Sequence, residues 1–240
     1  EHSQLVDINE EILNRFGGSW DRPPSFPDGW ETSAALGDVR ERARAILERD
    51  FGDSAFWSWK DPRACLTLPF WQHLLPAMDC VLCVRNPVEI ARSLEKRDGF
   101  QADKSTRLWL WYMAHALRAT AGQRRLVIFF EDLLRDWRGE FDRLAAFLGR
   151  AAGKHADISA EARDFIDKEL CHHRASATGC VDESAVVFPA KAVYLALRAR
   201  HRPSEPESVG ADLDAAIDLF GPHALERQQS DERERRLLAT

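Results

Sequence analysis

The fold of this chain is decided by the stretch Cys80-Val81-Leu82-Cys83-Val84-Arg85-Asn86-Pro87. Its first five residues form a short apolar run that is typical of a buried strand, and we predict a strand over 79–84. Asn86 is a favoured N-cap residue and Pro87 a favoured first helical residue, so a helix is predicted over 87–98. Because ligands of open α/β sheets bind at the carboxyl ends of strands, Arg85 lies where a cation would meet a bound anion.

Ser93 follows Asn86 by seven residues, which places it about two helical turns further along the same face. An arginine fork and a serine hydroxyl beside a helix N-terminus suit a phosphate group. The alternative is that Arg85 pairs with a nearby carboxylate and that Ser93 only packs. Both interpretations stay open at this point.

A second basic cluster, Trp59-Lys60-Asp61-Pro62-Arg63, lies at the C-terminal end of residues 55–59, which we predict to be another strand. Lys60 and Arg63 would then also be presented at a strand end. The alternative is a local ion pair, of Asp61 with Arg63 or Lys60, that only shapes the loop.

Strands and helices alternate along the first 150 residues. A third strand is predicted over 125–130, and helices are predicted over 5–16, 37–50, 67–76, 104–121 and 137–149. This alternation predicts an α/β protein with a parallel sheet flanked by helices. Beyond it, helices are predicted over 159–170, 186–200, 210–220 and 223–239, with a linker-like break at 201–206.

The composition is that of a globular protein, since 45% of the 240 residues are hydrophobic and the formal net charge is −6. The hydrophobic share suits one sizeable core, and the negative charge argues against a nucleic-acid partner. No apolar run approaches the roughly 20 residues of a membrane span. The five cysteines lack the spacing of a disulfide framework, so we expect Cys80 and Cys83 to be reduced core thiols in a cytoplasmic protein.

The chain resembles the sulfotransferases that use 3'-phosphoadenosine 5'-phosphosulfate (PAPS) as the donor. The resemblance rests on Asn-Glu-Glu-Ile-Leu at 9–13, Lys-Asp-Pro-Arg at 60–63, Leu-Thr-Leu-Pro-Phe-Trp at 66–71, Val-Arg-Asn-Pro-Val-Glu-Ile-Ala-Arg-Ser-Leu at 84–94 and Phe-Glu-Asp-Leu-Leu at 130–134. It implies an α/β fold of the P-loop nucleoside triphosphate hydrolase-like type over residues 1–200. Residues 201–240 would then form a helical C-terminal extension.

One element of that family is missing from this sequence. Sulfotransferases carry a Gly-rich loop of Arg-Ser-Gly-Thr character after their first strand, and its backbone N–H groups cradle the 5'-phosphosulfate. These 240 residues contain no such loop, and residues 1–16 correspond to the helix downstream of it. We therefore expect the chain to begin after that first strand, which is normally central in the sheet.

The resemblance also implies roles for the two basic clusters. Arg85 and Ser93, with Asn86 at the helix start, would hold the 3'-phosphate of PAPS. For the general base, some family members use Glu and others His, and the candidates in this sequence are Glu1 and His2.

The other cluster would lie near the acceptor and the transferring sulfate. Lys60 would stabilise the bridging oxygen, because charge develops there during transfer. Asp61 would orient the acceptor or an adjacent cation, and Arg63 would face the sulfate or an anionic acceptor.

The resemblance therefore predicts an enzyme that moves a sulfuryl group from PAPS to a hydroxyl or amine and releases 3',5'-ADP without a metal ion. Its acceptor would be a small molecule or a carbohydrate, selected by loops such as 17–36 and 98–106. One alternative is a truncated or degenerate sulfotransferase-like module without catalytic activity. The other is a small-molecule kinase, which needs a Gly-x-x-x-x-Gly-Lys-Ser/Thr loop that this sequence does not contain.

Overall fold

The computed structural model describes residues 2–149 and 186–200, which form an α/β protein of mostly helices with a small parallel sheet. The elements in chain order are α1 (Ser3–Arg15), α2 (Gly37–Phe51), α3 (Ala64–Leu74), β1 (Cys80–Val84), α4 (Pro87–Asp98), α5 (Ala102–Ala119), β2 (Arg125–Phe129), α6 (Phe130–Arg135), α7 (Trp137–Phe147) and α8 (Phe188–Arg200). Two short 3-10 helices, Trp30–Thr32 and Ala34–Leu36, precede α2.

Most of the predicted elements are confirmed within the described ranges. The strands over 79–84 and 125–130 correspond to β1 and β2, and the predicted helices up to residue 149 correspond to α1–α5 and α7. The helix predicted over 186–200 corresponds to α8. The helices predicted over 159–170, 210–220 and 223–239 lie outside the described residues, so the division into a domain over 1–200 and an extension over 201–240 stays a prediction.

The sheet has two parallel strands, paired from Cys80 opposite Arg125 to Val84 opposite Phe129. The connection between parallel strands must cross over, and α4 and α5 provide that crossover. All five residues of β2 are buried, whereas β1 alternates between buried and exposed positions. Cys80 is buried and Cys83 is exposed, so the prediction that both are core thiols is wrong for Cys83.

The strand predicted over 55–59 is wrong, because these residues form an irregular segment between α2 and α3. The aromatic side chains of this segment stack on one another, and its backbone does not pair with a strand. The ring centroids of Phe51 and Trp57 are 4.2 Å apart, and those of Trp57 and Trp59 are 5.5 Å apart. Consequently the cluster that starts at Lys60 does not follow a strand.

The chain divides into two compact units. Among the described residues, the first unit contains 2–78 and 111–121, and the second contains 79–110, 122–149 and 186–200. Helix α5 begins in the second unit and its last turns belong to the first.

The helices of the first unit pack around an apolar core. Helix α1 buries one face because its apolar residues recur at helical spacing, and Gly17, at a φ of 76°, follows its C-terminus in the left-handed conformation that glycine adopts easily. The core consists of fully or nearly fully buried residues from α1, α2, α3 and the 3-10 segment: Leu5, Ile8, Ile12, Trp30, Leu36, Val39, Ala43, Ile46, Phe70 and Trp71.

The second unit packs its helices onto the sheet. Helix α8 buries Ala190, Val193 and Tyr194, and the Tyr194 ring meets the Phe129 ring of β2 edge-on, with centroids 5.9 Å apart. Gly99 ends α4 in the left-handed conformation, at a φ of 69°. None of the helices in the described ranges is long and apolar enough to cross a membrane.

Candidate functional site

The junction between β1 and α4 forms as predicted. The Asn86 side chain accepts a hydrogen bond from the backbone N–H of Val88 at 2.9 Å, and Pro87 is the first residue of α4. A capped, proline-started helix fixes the direction in which the chain leaves the strand. Arg85 is thereby held at the carboxyl end of β1, and Ser93 is half-buried two turns along α4.

Arg85 is paired with a carboxylate. Its Nε donates to Glu89 Oε2 at 3.1 Å, and its guanidinium carbon lies 4.8 Å from the centroid of the Phe130 ring. The Arg85 side chain is 25% exposed and that of Glu89 only 1%. The interpretation in which Arg85 pairs with a nearby carboxylate is therefore observed, and this pair orients a partly exposed guanidinium.

The start of α4 departs from the usual capping box, in which the side chain of the third helical residue accepts the N–H of the N-cap residue. Glu89 occupies that third position but faces Arg85. The backbone N–H of Asn86 donates instead to Glu131 Oε1, at 2.6 Å. Glu131 comes from the segment after β2, so the ends of both strands meet through this bond.

Glu131 is a functional candidate that sequence reasoning missed. Burial raises the pKa of its carboxyl group, and the neighbouring charge of Glu89 adds to the increase, whereas the bond from Asn86 and the charge of Arg198 oppose it. Its Oε2 atom is buried, and no hydrogen-bond partner for it exists among residues 2–149 and 186–200. The available signal was its position directly after a strand that ends at the same sheet edge as β1.

An ion pair connects helix α8 to the same end of the sheet. Arg198 Nη1 lies 2.6 Å from Asp132 Oδ2, and the guanidinium carbon of Arg198 lies 4.4 Å from the Phe129 ring centroid. Arg135 also contacts Asp132, at 2.8 Å. Burial lowers the pKa of Arg198, but the hydrogen bond and charge of Asp132 outweigh it and raise that pKa overall.

The Lys60–Arg63 cluster belongs to the first unit and is built around a buried aspartate. The Asp61 side chain has no exposed surface, and its Oδ2 accepts from Asn9 Nδ2 at 2.8 Å. Its Oδ1 accepts from both the backbone N–H and Nη1 of Arg63, each at 3.0 Å. Lys60 is exposed. Asp61 thus fixes the turn that enters α3.

Asn9 connects α1 to this turn and to α3. Its Oδ1 accepts hydrogen bonds from Thr67 Oγ1 at 2.6 Å and from Trp71 Nε1 at 2.7 Å. Asn9, Thr67 and Trp71 have no exposed surface. Sequence reasoning missed this network, although a polar residue on the apolar face of α1, beside Ile8 and Ile12, was a signal for it.

Arg63 lies between two carboxylates, because its Nη2 also donates to Glu10 Oε1 at 2.6 Å. Burial opposes the charge of Arg63, but the bonds to Asp61 and Glu10 raise its pKa overall. The local ion pair of Asp61 with Arg63 is therefore observed.

Only one of the two candidates for the general base, His2, lies among the described residues. His2 Nε2 lies 3.0 Å from Asp50 Oδ2, and the His2 ring centroid lies 5.4 Å from that of Phe51. A carboxylate at this distance can fix the orientation and tautomer of an imidazole. Glu1 lies outside the described residues.

The predicted site residues thus fall into two groups. The first unit holds His2, Lys60, Asp61 and Arg63, and the second holds Arg85, Asn86 and Ser93. Within the part of the chain that the structure describes, no group of three or more His, Cys, Asp or Glu side chains has the arrangement to hold a metal ion.

The first unit also has a half-open cavity of about 220 Å³. The stacked rings of Phe26 and Trp30, whose centroids are 4.1 Å apart, form one wall. The lining also includes Leu66 of α3, the polar residues His115 and Arg118 of α5, and the acidic residues Asp28 and Glu31. This cavity borders the segment 17–36 that the sequence predicts to select an acceptor.

Comparisons of the chain with models of protein families, with curated proteins and with solved structures give no match. The resemblance to sulfotransferases accordingly rests on the short motifs of the sequence. At the β1–α4 junction an arginine lies beside a capped helix N-terminus, which is chemistry that suits a phosphate.

Proposed function

We propose that this chain is a sulfotransferase that binds the 3'-phosphate of PAPS at the β1–α4 junction. The observation that carries the proposal is the position of Arg85 at the carboxyl end of β1, directly before the Asn86 cap of α4. A helix N-terminus and an arginine fork both favour a bound phosphate. Ser93 would add a hydroxyl donor from the next turns of the same helix.

In the proposed reaction a hydroxyl or amine of the acceptor attacks the sulfur of PAPS, the bond from sulfur to the phosphate oxygen breaks, and 3',5'-ADP leaves. Cations stabilise the charge that develops on the leaving phosphate, which is the role proposed for Lys60. Arg63, held in place by Asp61, would face the sulfate or an anionic acceptor. The proton of the acceptor would go to His2, which Asp50 orients, or to Glu1.

The cavity of the first unit beside Phe26 and Trp30 is a proposed binding place for a small ring, argued from that unit alone. Its aromatic wall suits the face of a sugar or of a small planar ring. His115 and Arg118 supply polar groups that fix the orientation of such a molecule. A small-molecule or carbohydrate acceptor therefore remains the proposed substrate class.

A specific observation favours the second candidate, a sulfotransferase-like module without catalytic activity. Arg63 and Arg85 are both paired with carboxylates. Within the described ranges the sheet consists of β1 paired directly with β2. Such a module would bind the nucleotide without transferring the sulfuryl group.

The test is a transfer assay with PAPS labelled at sulfur and a panel of sugars, phenols and amines. The proposal predicts labelled product and a matching amount of 3',5'-ADP, and both would fall strongly in Lys60→Ala. Nucleotide binding without product across the panel would favour the non-catalytic module. Neither binding nor product would contradict both candidates.

A further inference from the structure

Charged side chains of both signs surround the ends of β1 and β2. The arginines are Arg85, Arg135 and Arg198, and the carboxylates are Glu89, Glu131 and Asp132. When all of them are ionised this group is electrically neutral. An anionic ligand placed there would give the group a net negative charge, which is costly next to buried carboxylates.

Glu131 differs from the other two carboxylates of this group. Glu89 faces Arg85, and Asp132 lies between two arginines. The hydrogen bonds that act on Glu131 come from neutral backbone N–H groups, those of Asn86 and of Glu131 itself, and its buried Oε2 faces no hydrogen-bond partner in the described parts of the chain. Glu131 is therefore the carboxylate whose charge is least compensated.

The groups around Glu131 come from every element packed at this edge. Helix α4 contributes Glu89 and α8 contributes Arg198, which act on its pKa in opposite directions. Helix α7 packs on β2, where its Arg143 pairs with Glu140 at 2.6 Å and donates to the Val127 carbonyl oxygen. The strand-end Arg85 is already engaged by Glu89. No element therefore supplies Glu131 with an arginine of its own within residues 2–149 and 186–200.

We propose that binding of a phosphate-bearing anion at Arg85 and the N-terminus of α4 takes up one proton from solution, and that Glu131 carries this proton. The inference rests on the proposed nucleotide site. Only a proton moves, from the solvent to the carboxylate, and no other bond changes. The neutral carboxyl group removes one half-buried negative charge and adds an O–H donor at the place where the ligand brings acceptor oxygens.

The inference predicts a specific pH dependence. If one proton is bound with each ligand, affinity falls about tenfold for each pH unit between the pKa of Glu131 in the free protein and its higher pKa in the complex. The second ionisation of a phosphate monoester occurs near pH 6, so a ligand studied well above that value contributes little of its own to this slope.

The test is calorimetric titration of the whole chain with 3',5'-ADP at each pH unit from 5 to 9, in buffers of different ionisation enthalpy. The dependence of the observed heat on the buffer gives the number of protons taken up. The wild type should take up one proton per ligand more than Glu131→Gln at pH values between the free and bound pKa of Glu131, with about tenfold weaker binding per pH unit there. Glu131→Gln should take up none and should bind equally well at pH 8 and 9. Glu95→Gln, which changes an exposed glutamate of α4, should behave like the wild type.

Wild-type binding without proton uptake would overturn the inference and leave the nucleotide site intact. Uptake that persists unchanged in Glu131→Gln would also overturn it. Binding by Glu131→Gln but not by the wild type at any of these pH values would overturn it, because no wild-type complex would then exist to carry the proton. If neither protein binds 3',5'-ADP, the proposed function and this inference fail together. If Glu131→Gln does not fold, wild-type binding without proton uptake still overturns the inference.

Discussion

Replacement of Asn9 by alanine is expected to destabilise the first unit strongly, because this one side chain connects three others. It accepts hydrogen bonds from Thr67 and Trp71 and donates one to Asp61. All of these groups are buried. Leaving a buried polar group without its partner costs about 1–3 kcal/mol.

The three hydrogen bonds that Asn9→Ala removes do not cost the same free energy. Asp61 keeps two bonds from Arg63, and the Thr67 hydroxyl also lies 3.3 Å from the Arg63 carbonyl oxygen, so both retain partners. The Trp71 indole N–H has no second bond described and bears the full cost. The loss of the other two bonds costs about 0.5–1.5 kcal/mol each, so we expect Asn9→Ala to lower the free energy of unfolding by about 2–6 kcal/mol, out of about 5–15 kcal/mol for a typical domain.

Urea unfolding followed by tryptophan fluorescence and circular dichroism measures this change. The matched control is Asn14→Ala, which makes the same replacement at an exposed position of α1 and should change stability by less than about 0.5 kcal/mol. The difference in helix propensity between asparagine and alanine is common to both variants and cancels in the comparison. A loss below about 1 kcal/mol in Asn9→Ala would refute the view that the network holds the Lys60–Arg63 turn.

Three further changes test other parts of the molecule. Arg85→Ala should weaken 3',5'-ADP binding by about 1.5–3 kcal/mol in a calorimetric titration, and Arg92→Ala, at an exposed position of α4, should not. Lys60→Ala should lower turnover more than nucleotide affinity, and equal losses would assign Lys60 to binding alone. The native pKa of Glu131 is raised above its ordinary value of 4.5, so the protonated form favours folding. The stability of the wild type should therefore match that of Glu131→Gln most closely below pH 4.5 and fall relative to it as pH rises through the native pKa. Urea unfolding of both proteins measures this, and a difference in the free energy of unfolding that stays the same at all pH values would contradict it.

Local signals in the sequence predicted local structure well. The cap at Asn86 and the proline at position 87 specify the start of α4 within a few residues, and the apolar run before them specifies β1. The aromatic segment 55–59 shows where such signals fail. Its rings are apolar enough to indicate a strand, but they stack on one another and leave Phe56 half-exposed.

Partners that are distant in sequence could not be predicted from the same patterns. Glu131 lies 45 residues from Asn86, yet it replaces the local Glu89 as acceptor for the N-cap N–H. Asn9 lies 62 residues from Trp71. Such contacts depend on how helices pack and on strand register, which periodicity does not encode.

The central claim concerns a binding site for a nucleotide 3'-phosphate, and thermal unfolding with 3',5'-ADP tests it most directly. The same measurement with 5'-AMP and with ADP serves as the control for phosphate position. A ligand present at 100 times its dissociation constant adds about 2.7 kcal/mol of stability. We predict a rise in the melting temperature with 3',5'-ADP alone. No rise, or equal rises with all three nucleotides, would contradict the claim.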